Sequence, residues 1–492
     1  MSKLNATRRQ FLRTASVVSG SVGTAAAPFA LNMATLNAAV AQTTSSDYKA
    51  IVCMFFYGGN DSSNMVLRTD PLSFDEYTRL RNNGTDPIAL KAPGTAPNNG
   101  AARASTARLG GVLPITPKFT VSPENKDFTF ALHPVMTEVQ SLFGAGRLGI
   151  IANAGPLVVP LTRAEYTSNS KPRPQALGSH NDQQSTWQAL GPEGVKIGWG
   201  GHIGDMIASQ NANQTFTSIG VSGNAVFSAG ETTYQYQVGG AGATQIGGIT
   251  GTLFGSPTAS TTLRSIVTGD NQHLFAKEMS TIVGRSITAQ QTFQTAFAAS
   301  MAMDPTTYVV PSTGQNQQNG LAQQIQTVAR VIGARNAIGA KRQVFFVAMG
   351  GFDTHDNQNP NQGDLLARIS HAIAYFDTAM SNVGGVDLRN NVTLFTASDF
   401  NRTITTNGDG TDHGWGSHHF VVGGAVKGGE IYGRFPQFQL NTGQDAANNA
   451  FIPSTSVDTI GATLGKWFGV SDTNLDTIFP NLKNFQRNLG FV

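Results

Sequence analysis

The sequence predicts an α/β fold, a mostly parallel central sheet with helices on both faces. Two observations carry that prediction. The runs "YKAIVCMFF", "RQVFFVAM" and "NVTLFTA" are almost continuously apolar, the pattern of strands covered on both sides rather than on one. Other segments carry apolar residues at helical spacing, and helix leads into strand repeatedly. A chain of 492 residues can bury a large core, and 55 glycines with only 13% charged residues describe a loop-rich globular protein rather than a disordered polyelectrolyte.

In chain order, residues 1–41 hold Arg8 and Arg9, then Phe11 and Leu12, a weakly apolar stretch and Ala39-Val40-Ala41. This reads as a twin-arginine export signal cleaved after Ala41, which sends the protein to the periplasm, the cell surface or the medium. An integral membrane span would need about 20 consecutive strongly apolar residues, and Ser, Gly, Thr, Pro and Asn interrupt this stretch. The signal carries Lys3, Arg8, Arg9 and Arg13 and no acid, so the formal charge of +3 falls to −1 without it. That balance argues against a nucleic-acid partner. Cys53, the single cysteine, lies in the first apolar run and reads as a small buried hydrophobe; no internal disulfide can form.

One domain is expected over residues 48–492. Its first strand, from Tyr48, ends at "GGND". Residues 68–127, rich in Asn, Pro, Gly and Ala, look like a long excursion, and "ALHPVMTEVQSLFGAG" has helical spacing from Leu132 to Phe143 before the strand-like "RLGIIANAG". Residues 205–257 shift to Gly, Thr, Ser and Gln with aromatics and read as a β-rich Gly/Thr insertion. Helical character returns from Thr261 to Met301 and from Leu321 to Ile338. The strand "RQVFFVAM" halts at "GGFDTHDNQ", and a helix with Leu365, Leu366, Ile369, Ile373, Phe376 and Met380 on one face follows it. Then come the strand ending at Ser398-Asp399 and, last, the amphipathic "SVDTIGATLGKWFGV".

Asp61, Asp353 and Asp399 each follow a buried-strand run. In doubly wound sheets, loops converge beyond the carboxyl ends of the strands, and acids gathered there repel one another unless a cation neutralises them. His355 stands two residues beyond Asp353, and "GTDHGWGSHHF" supplies His413 and His418. Mixed Asp and His ligands suit zinc, manganese or iron better than calcium, which prefers oxygen alone. Other roles fit the same residues: "GGND" is a strong turn sequence, and "DTHDNQNPNQGD" could be a solvated loop capping a helix near Asp364. Trp187, Trp199 and Trp415 fit a sugar-binding surface or a core.

With these motifs together, the chain resembles the exported family called "domain of unknown function fifteen-oh-one", of the alkaline phosphatase-like superfamily. The resemblance rests on "FFYGGNDSSN", "SHNDQQSTWQALG", "GGFDTHDNQ", "SDFNRT", "GTDHGWGSHHFVVGGAVKGGEIYGRFP" and "TSVDTIGATLGKWFGV". It implies an alkaline phosphatase-like α/β/α sandwich and one or two divalent metal ions acting on a phosphate or sulfate ester. By the same resemblance, Asp61 is the first-strand ligand, Asp353 and His355 serve one ion, and Asp399 serves the other. His413 or His418 is the late histidine. Phe400 stands where many superfamily enzymes place a histidine directly after the acid. Ser179 in "LGSHNDQQ" is either the nucleophile or the N-cap of a helix, with Ser62, Ser63 and Thr162 as substitutes. Arg402 either clamps a substrate oxygen or pairs with the acids around it. The expected partner is a small phosphorylated or sulfated substrate; the alternative is a non-catalytic exported protein that keeps part of the metal site and binds another exported protein.

Overall fold

Burial on both faces explains why the first strand is apolar throughout. In the computed structural model, which describes residues 47–446 and 448–492, β1 (Lys49–Phe56) runs through the middle of the central sheet. The expected export signal lies outside the described residues. Ala50, Val52, Met54 and Phe56 face one half of the core, and Ile51, Cys53 and Phe55 face the other. The period-two alternation of side chains thus puts an apolar residue on each face in turn. Burial pushes the Cys53 thiol well above its usual range, so it is a packed hydrophobe and not a nucleophile.

The other strands of this sheet are β2 (Leu148–Gly155), β3 (Ser218–Gly220), β4 (Tyr236–Gly239), β5 (Gly242–Ala243), β6 (Arg342–Met349), β7 (Val392–Ser398), β8 (Ser417–Val422), β9 (Ile431–Tyr432) and β10 (Thr455–Ser456). They lie in the order β9-β2-β8-β7-β1-β6-β3-β4-β5, with β10 also paired to β2. Pairs β1–β6, β1–β7, β6–β3, β3–β4, β9–β2 and β10–β2 are parallel, and β8 runs antiparallel to both of its neighbours. The register sets Phe56 beside Met349 and beside Ser398. Three strands therefore end level, and β8, running the other way, begins at the same edge.

Helices cover both faces. On one side lie α3 (Thr137–Gly144), α6 (Gly320–Gly333) and α7 (Gln358–Ser381), contributing Val139, Ile325, Val328, Ile369 and Ile373 to the core. On the other lie α4 (His180–Ala189), α5 (Trp199–Ile207) and α8 (Val457–Phe468), contributing Trp187, Trp199, Ile203, Ile460 and Leu464. The result is the expected α/β/α sandwich. Two short helices precede these in the chain, α1 (Ser62–Met65) and α2 (Pro71–Arg81). No helix of the described residues is long and apolar enough to cross a membrane.

Several elements depart from the sequence reading. The helix expected from Leu132 starts at Thr137: Phe130–Leu132 is a strand in a small sheet with Val66–Arg68 and Leu113–Ile115, and Pro134 cannot continue a helix backwards. Within 205–257 the strands β3, β4 and β5 are short and extend the edge of the central sheet. The helical stretch 261–301 is two helices, Pro257–Thr268 and Leu274–Ala299. The helix expected near Asp364 starts at Gln358, so "QNPNQGD" forms its first turns and not a loop. Trp187, Trp199 and Trp415 are buried, which makes them core and not a sugar platform.

Candidate metal centre

The level strand ends build the site. Beyond β1 the chain turns through Gly58 and Gly59, whose φ values of +111° and +78° only glycine adopts without strain. A Cβ on Gly58 would sit 2.6 Å from the amide nitrogen of Asp353, and one on Gly59 would meet the Phe400 ring at 2.3 Å. The glycines thus let the loop after β1 pack directly against the loops after β6 and β7. These carry Asp353 and Asp399.

Arg402 locks the three loops together. Its buried guanidinium donates to the carbonyls of Gly58, Gly59, Phe352 and Thr411 and to the Asp353 carboxylate. Nη1 also lies 3.5 Å from His355 Nε2, and the side chain has no exposed surface, an arrangement that fits the structural partner of the acids better than a clamp on a substrate oxygen. The loop 399–416 folds back as two paired arms, with Thr403 N–H on the Asp412 carbonyl at 3.0 Å and Asn401 N–H on the Trp415 carbonyl at 3.1 Å. That pairing returns His413 to the strand edge.

The third side of the site is α4. Ser179 is its N-cap, accepting from the Asp182 N–H and donating its hydroxyl to Asp182 Oδ2 at 2.8 Å. The cap fixes the first helical residue, His180, whose Nδ1 lies 2.7 Å from Asp399 Oδ2. Gln184, one turn on, donates to the same oxygen at 2.8 Å, as does Gly58 N–H at 3.1 Å. Asp399 Oδ1 is buried and has no hydrogen-bond partner.

Three imidazoles converge on Asp353. His413 Nε2 is 3.2 Å from its Oδ1, His355 Nε2 is 3.1 Å from the same atom, and His180 Nε2 is 3.4 Å from Oδ2. His355 Nε2 and His413 Nε2 are 2.9 Å apart. Each ring has an acceptor at its other nitrogen: Asp399 for His180, the Gly178 carbonyl at 2.6 Å for His413, and Asp412 Oδ1 at 3.2 Å for His355. With the proton on each Nδ1, the three Nε2 lone pairs face the carboxylate, and His355 Nε2 also lies 3.5 Å from Arg402 Nη1. An anchored Nδ1 with a free Nε2 is how metal-binding histidines are held. His180 Nε2 is within ion-pair range of Asp353 yet is a buried atom without a hydrogen bond. One ligand atom each from His180, Asp353 and His413 falls within a 4.8 Å cluster.

The charges agree with this. Burial raises the Asp353 pKa, but the Arg402 hydrogen bond and charge outweigh it, followed by His180 and His355, and bring it down to about 2. The hydrogen bond to Asp399 raises His180 against burial. His413 is lowered, chiefly by burial, which favours the neutral imidazole a metal needs. The donor set, imidazole nitrogens with one ionised carboxylate, fits a divalent transition metal, whose binding would displace the proton that Asp399 favours on His180.

Not every expected ligand joins this cluster. Asp61, buried, holds Arg81 in an ion pair and accepts from Gln358 Nε2 at 2.6 Å. Asp399 supports His180 rather than facing the cluster. His418 is a core residue: its Nδ1 accepts from Asn153 N–H, its ring stacks on Phe435 at 4.1 Å, and burial brings its pKa down to about 3. His180 is absent from the ligands that the sequence predicts. The cap signal in "GSHND" placed it at a helix start, but nothing local revealed a partner 219 residues away. Arg81, inside the excursion after β1, carried no signal at all.

A sheet covered on both faces, with histidines and an acid gathered beyond its carboxyl edge, defines a class of α/β/α proteins with a candidate metal centre. Within that class, the chain belongs to the family described as "Protein of unknown function (DUF1501)", whose model matches residues 48–477. No curated protein matches it significantly. Similar solved structures include a Bacteroides thetaiotaomicron protein described under metabolism of multiple glycosaminoglycans, at 10% identity over 87% of this chain and 74% of that one, TM-score 0.32. The PsFucS1 sulfatase of Pseudoalteromonas sp. matches at 9% identity over 90% and 72%, TM-score 0.28. A mutant of alkaline phosphatase PafA matches at 12% over 72% and 63%, TM-score 0.23. Scores this low carry no argument, and the architecture rests on the strand order above.

Proposed function

We propose that the protein is an exported metal-dependent hydrolase of phosphate or sulfate esters. The observation that carries the metal reading is the convergence of three imidazole Nε2 atoms on the Asp353 carboxylate, each ring held at its Nδ1 by an acceptor. His180, Asp353 and His413 would hold the ion, with His355 completing the set; zinc, manganese and iron suit these donors. A divalent ion there supplies Lewis-acid polarisation of an ester oxygen. The ester substrate follows from the resemblance to the alkaline phosphatase-like superfamily.

In this reading Ser179 is the nucleophile. It sits between Gly178, whose carbonyl orients His413, and His180. Its hydroxyl already donates to Asp182 Oδ2, a carboxylate able to take the proton as the oxygen attacks. The amide groups at the start of α4 favour negative charge developing there. The test is metal analysis of the purified mature protein together with assays on aryl phosphates and aryl sulfates, with and without chelator. Bound transition metal and chelator-sensitive turnover, lost in Ser179→Ala, are the expected results; metal without turnover on any ester would defeat the hydrolase reading.

One observation favours a second reading, a non-catalytic metal-binding protein that serves an exported partner. Asp182 in the first turn of α4 and Asp409 and Asp412 in the loop after β7 lie around the centre, and the basic residue at its heart, Arg402, is buried and engaged. An acidic rim attracts a metal but repels an anionic ester.

A further inference from the structure

Asp61 follows the central strand, yet its carboxylate already has a resident cation. We infer that the Arg81 guanidinium permanently occupies the place a second ion would take, so that the centre holds a single metal ion. This rests on the metal reading above and fixes its stoichiometry. Both side chains of the Arg81–Asp61 pair are fully buried. Asp61 Oδ2 accepts from Arg81 and from Gln358 Nε2, and Oδ1 accepts from Ser63 N–H at 3.2 Å as the N-cap of α1. The Asp61 backbone carbonyl is held as well, by Gln362 Nε2 at 2.6 Å.

Arg81 is equally committed. It donates to Asn64 Oδ1 at 2.8 Å, to the Thr403 carbonyl at 2.7 Å and to the Ile404 carbonyl at 3.1 Å, and it lies over the ring of Phe438 at 5.2 Å. α2 delivers it from its last turn, pinned by the Tyr77 hydroxyl, which donates to Asn64 Oδ1 at 2.7 Å. A metal ion reaching Asp61 would have to expel a guanidinium that has no exit to water, and would leave it buried and unpaired. A fixed monovalent cation with four partners is the better-matched neutraliser. Asp399, the acid that the resemblance assigns to a second ion, gives Oδ2 to His180, Gln184 and Gly58. Its Oδ1 is buried and unpartnered, but a single oxygen does not make a site, and among the described residues what remains for an ion is the one cluster on Asp353.

The test is a count. Metal-stripped wild-type protein is equilibrated separately with zinc and with manganese, desalted, and read by elemental analysis and native mass spectrometry. One ion per chain is expected, with none in Asp353→Asn. The double variant Asp61→Asn/Arg81→Met removes both charges together, so no unpaired ion is left in the core; it also frees the Thr403 and Ile404 carbonyls of the loop that carries His413, and should still keep its one ion, with an affinity within about tenfold of wild type. Two ions on wild type, or loss of the ion in the double variant, would overturn the inference. No ion on wild type with either metal would instead overturn the metal reading and this inference with it. If the double variant does not fold, the wild-type count alone decides.

Discussion

At the scale of single residues, the site depends on which oxygen holds which nitrogen. Asp399 has its three donors on one oxygen, and the strongest role this leaves it is to fix the His180 tautomer. Replacing it by Asn weakens that anchor, and the expected result is a fall of about 10- to 100-fold in metal affinity, the usual cost of losing such a support. Competition titration against a chelator measures it; unchanged affinity would show that His180 is not a ligand. Arg402 gives a different outcome. In Arg402→Ala four carbonyls lose a donor at once, and at about 1–3 kcal/mol for a buried polar group left unsatisfied the variant should be destabilised by about 3 kcal/mol or more, seen as a lower denaturation midpoint in metal-free protein. The sequence displayed Asp353, His355 and His413 through their place after apolar runs. It hid His180 and Arg81, because a ligand and a counter-charge are defined by partners far away in the chain.

At the scale of elements, α4 and the β1 turn decide whether the site forms. Ser179→Ala removes the α4 N-cap and should cost about 1 kcal/mol of stability while leaving metal content unchanged, since neither His180 nor His413 loses its Nδ1 acceptor. Calorimetry and metal analysis on one sample check both; a loss of metal would mean that the cap sets the position of His180. The same variant abolishes turnover if Ser179 is the nucleophile. Gly58→Ala acts through packing: the added Cβ meets Asp353 N at 2.6 Å and the φ is +111°. It should lower both stability and metal affinity, because the loops after β1 and β6 can no longer meet. Caps, glycine turns and apolar strand runs are local in sequence, which is why β1, β2, β6, β7 and α8 could be read there. α7 could not be bounded. Its amide-rich first turns look like loop, and Gln358 and Gln362 are helical because they reach Asp61. β8, buried and holding His418 and His419, gave no sign of running antiparallel.

For the whole molecule, buried neutral histidines set the response to acid. His133, His418 and His419 are each brought down to about 3 by burial, from 6.5. A depressed histidine pKa means that the unfolded chain binds protons the folded one refuses. Their contribution is complete above pH 6.5 and is lost as the pH falls toward 3. At pH 5 the loss is about 2 kcal/mol for each. Asp458, pushed up to about 6 by burial, works the other way: the folded state takes up its proton first, so stability is gained between pH 6 and 3.8, by about 1 kcal/mol at pH 5. The histidines win. Metal-free protein should have a markedly lower denaturation midpoint at pH 5 than at pH 7.5, and His133→Gln should shrink the difference; equal midpoints would show that these rings are not buried neutral. By itself the sequence determined the layers of the fold, the edge where its strands end and the acids and histidines delivered there, since apolar runs, turns and caps act over a few residues. Only the tertiary structure decided that Arg81 neutralises Asp61, that Arg402 ties three loops together through their carbonyls, and that His180 stands in the cluster while His418 lies in the core. The reason is that hydrogen bonds and ion pairs are satisfied between side chains brought together by strand register, and register is a property of the assembled sheet.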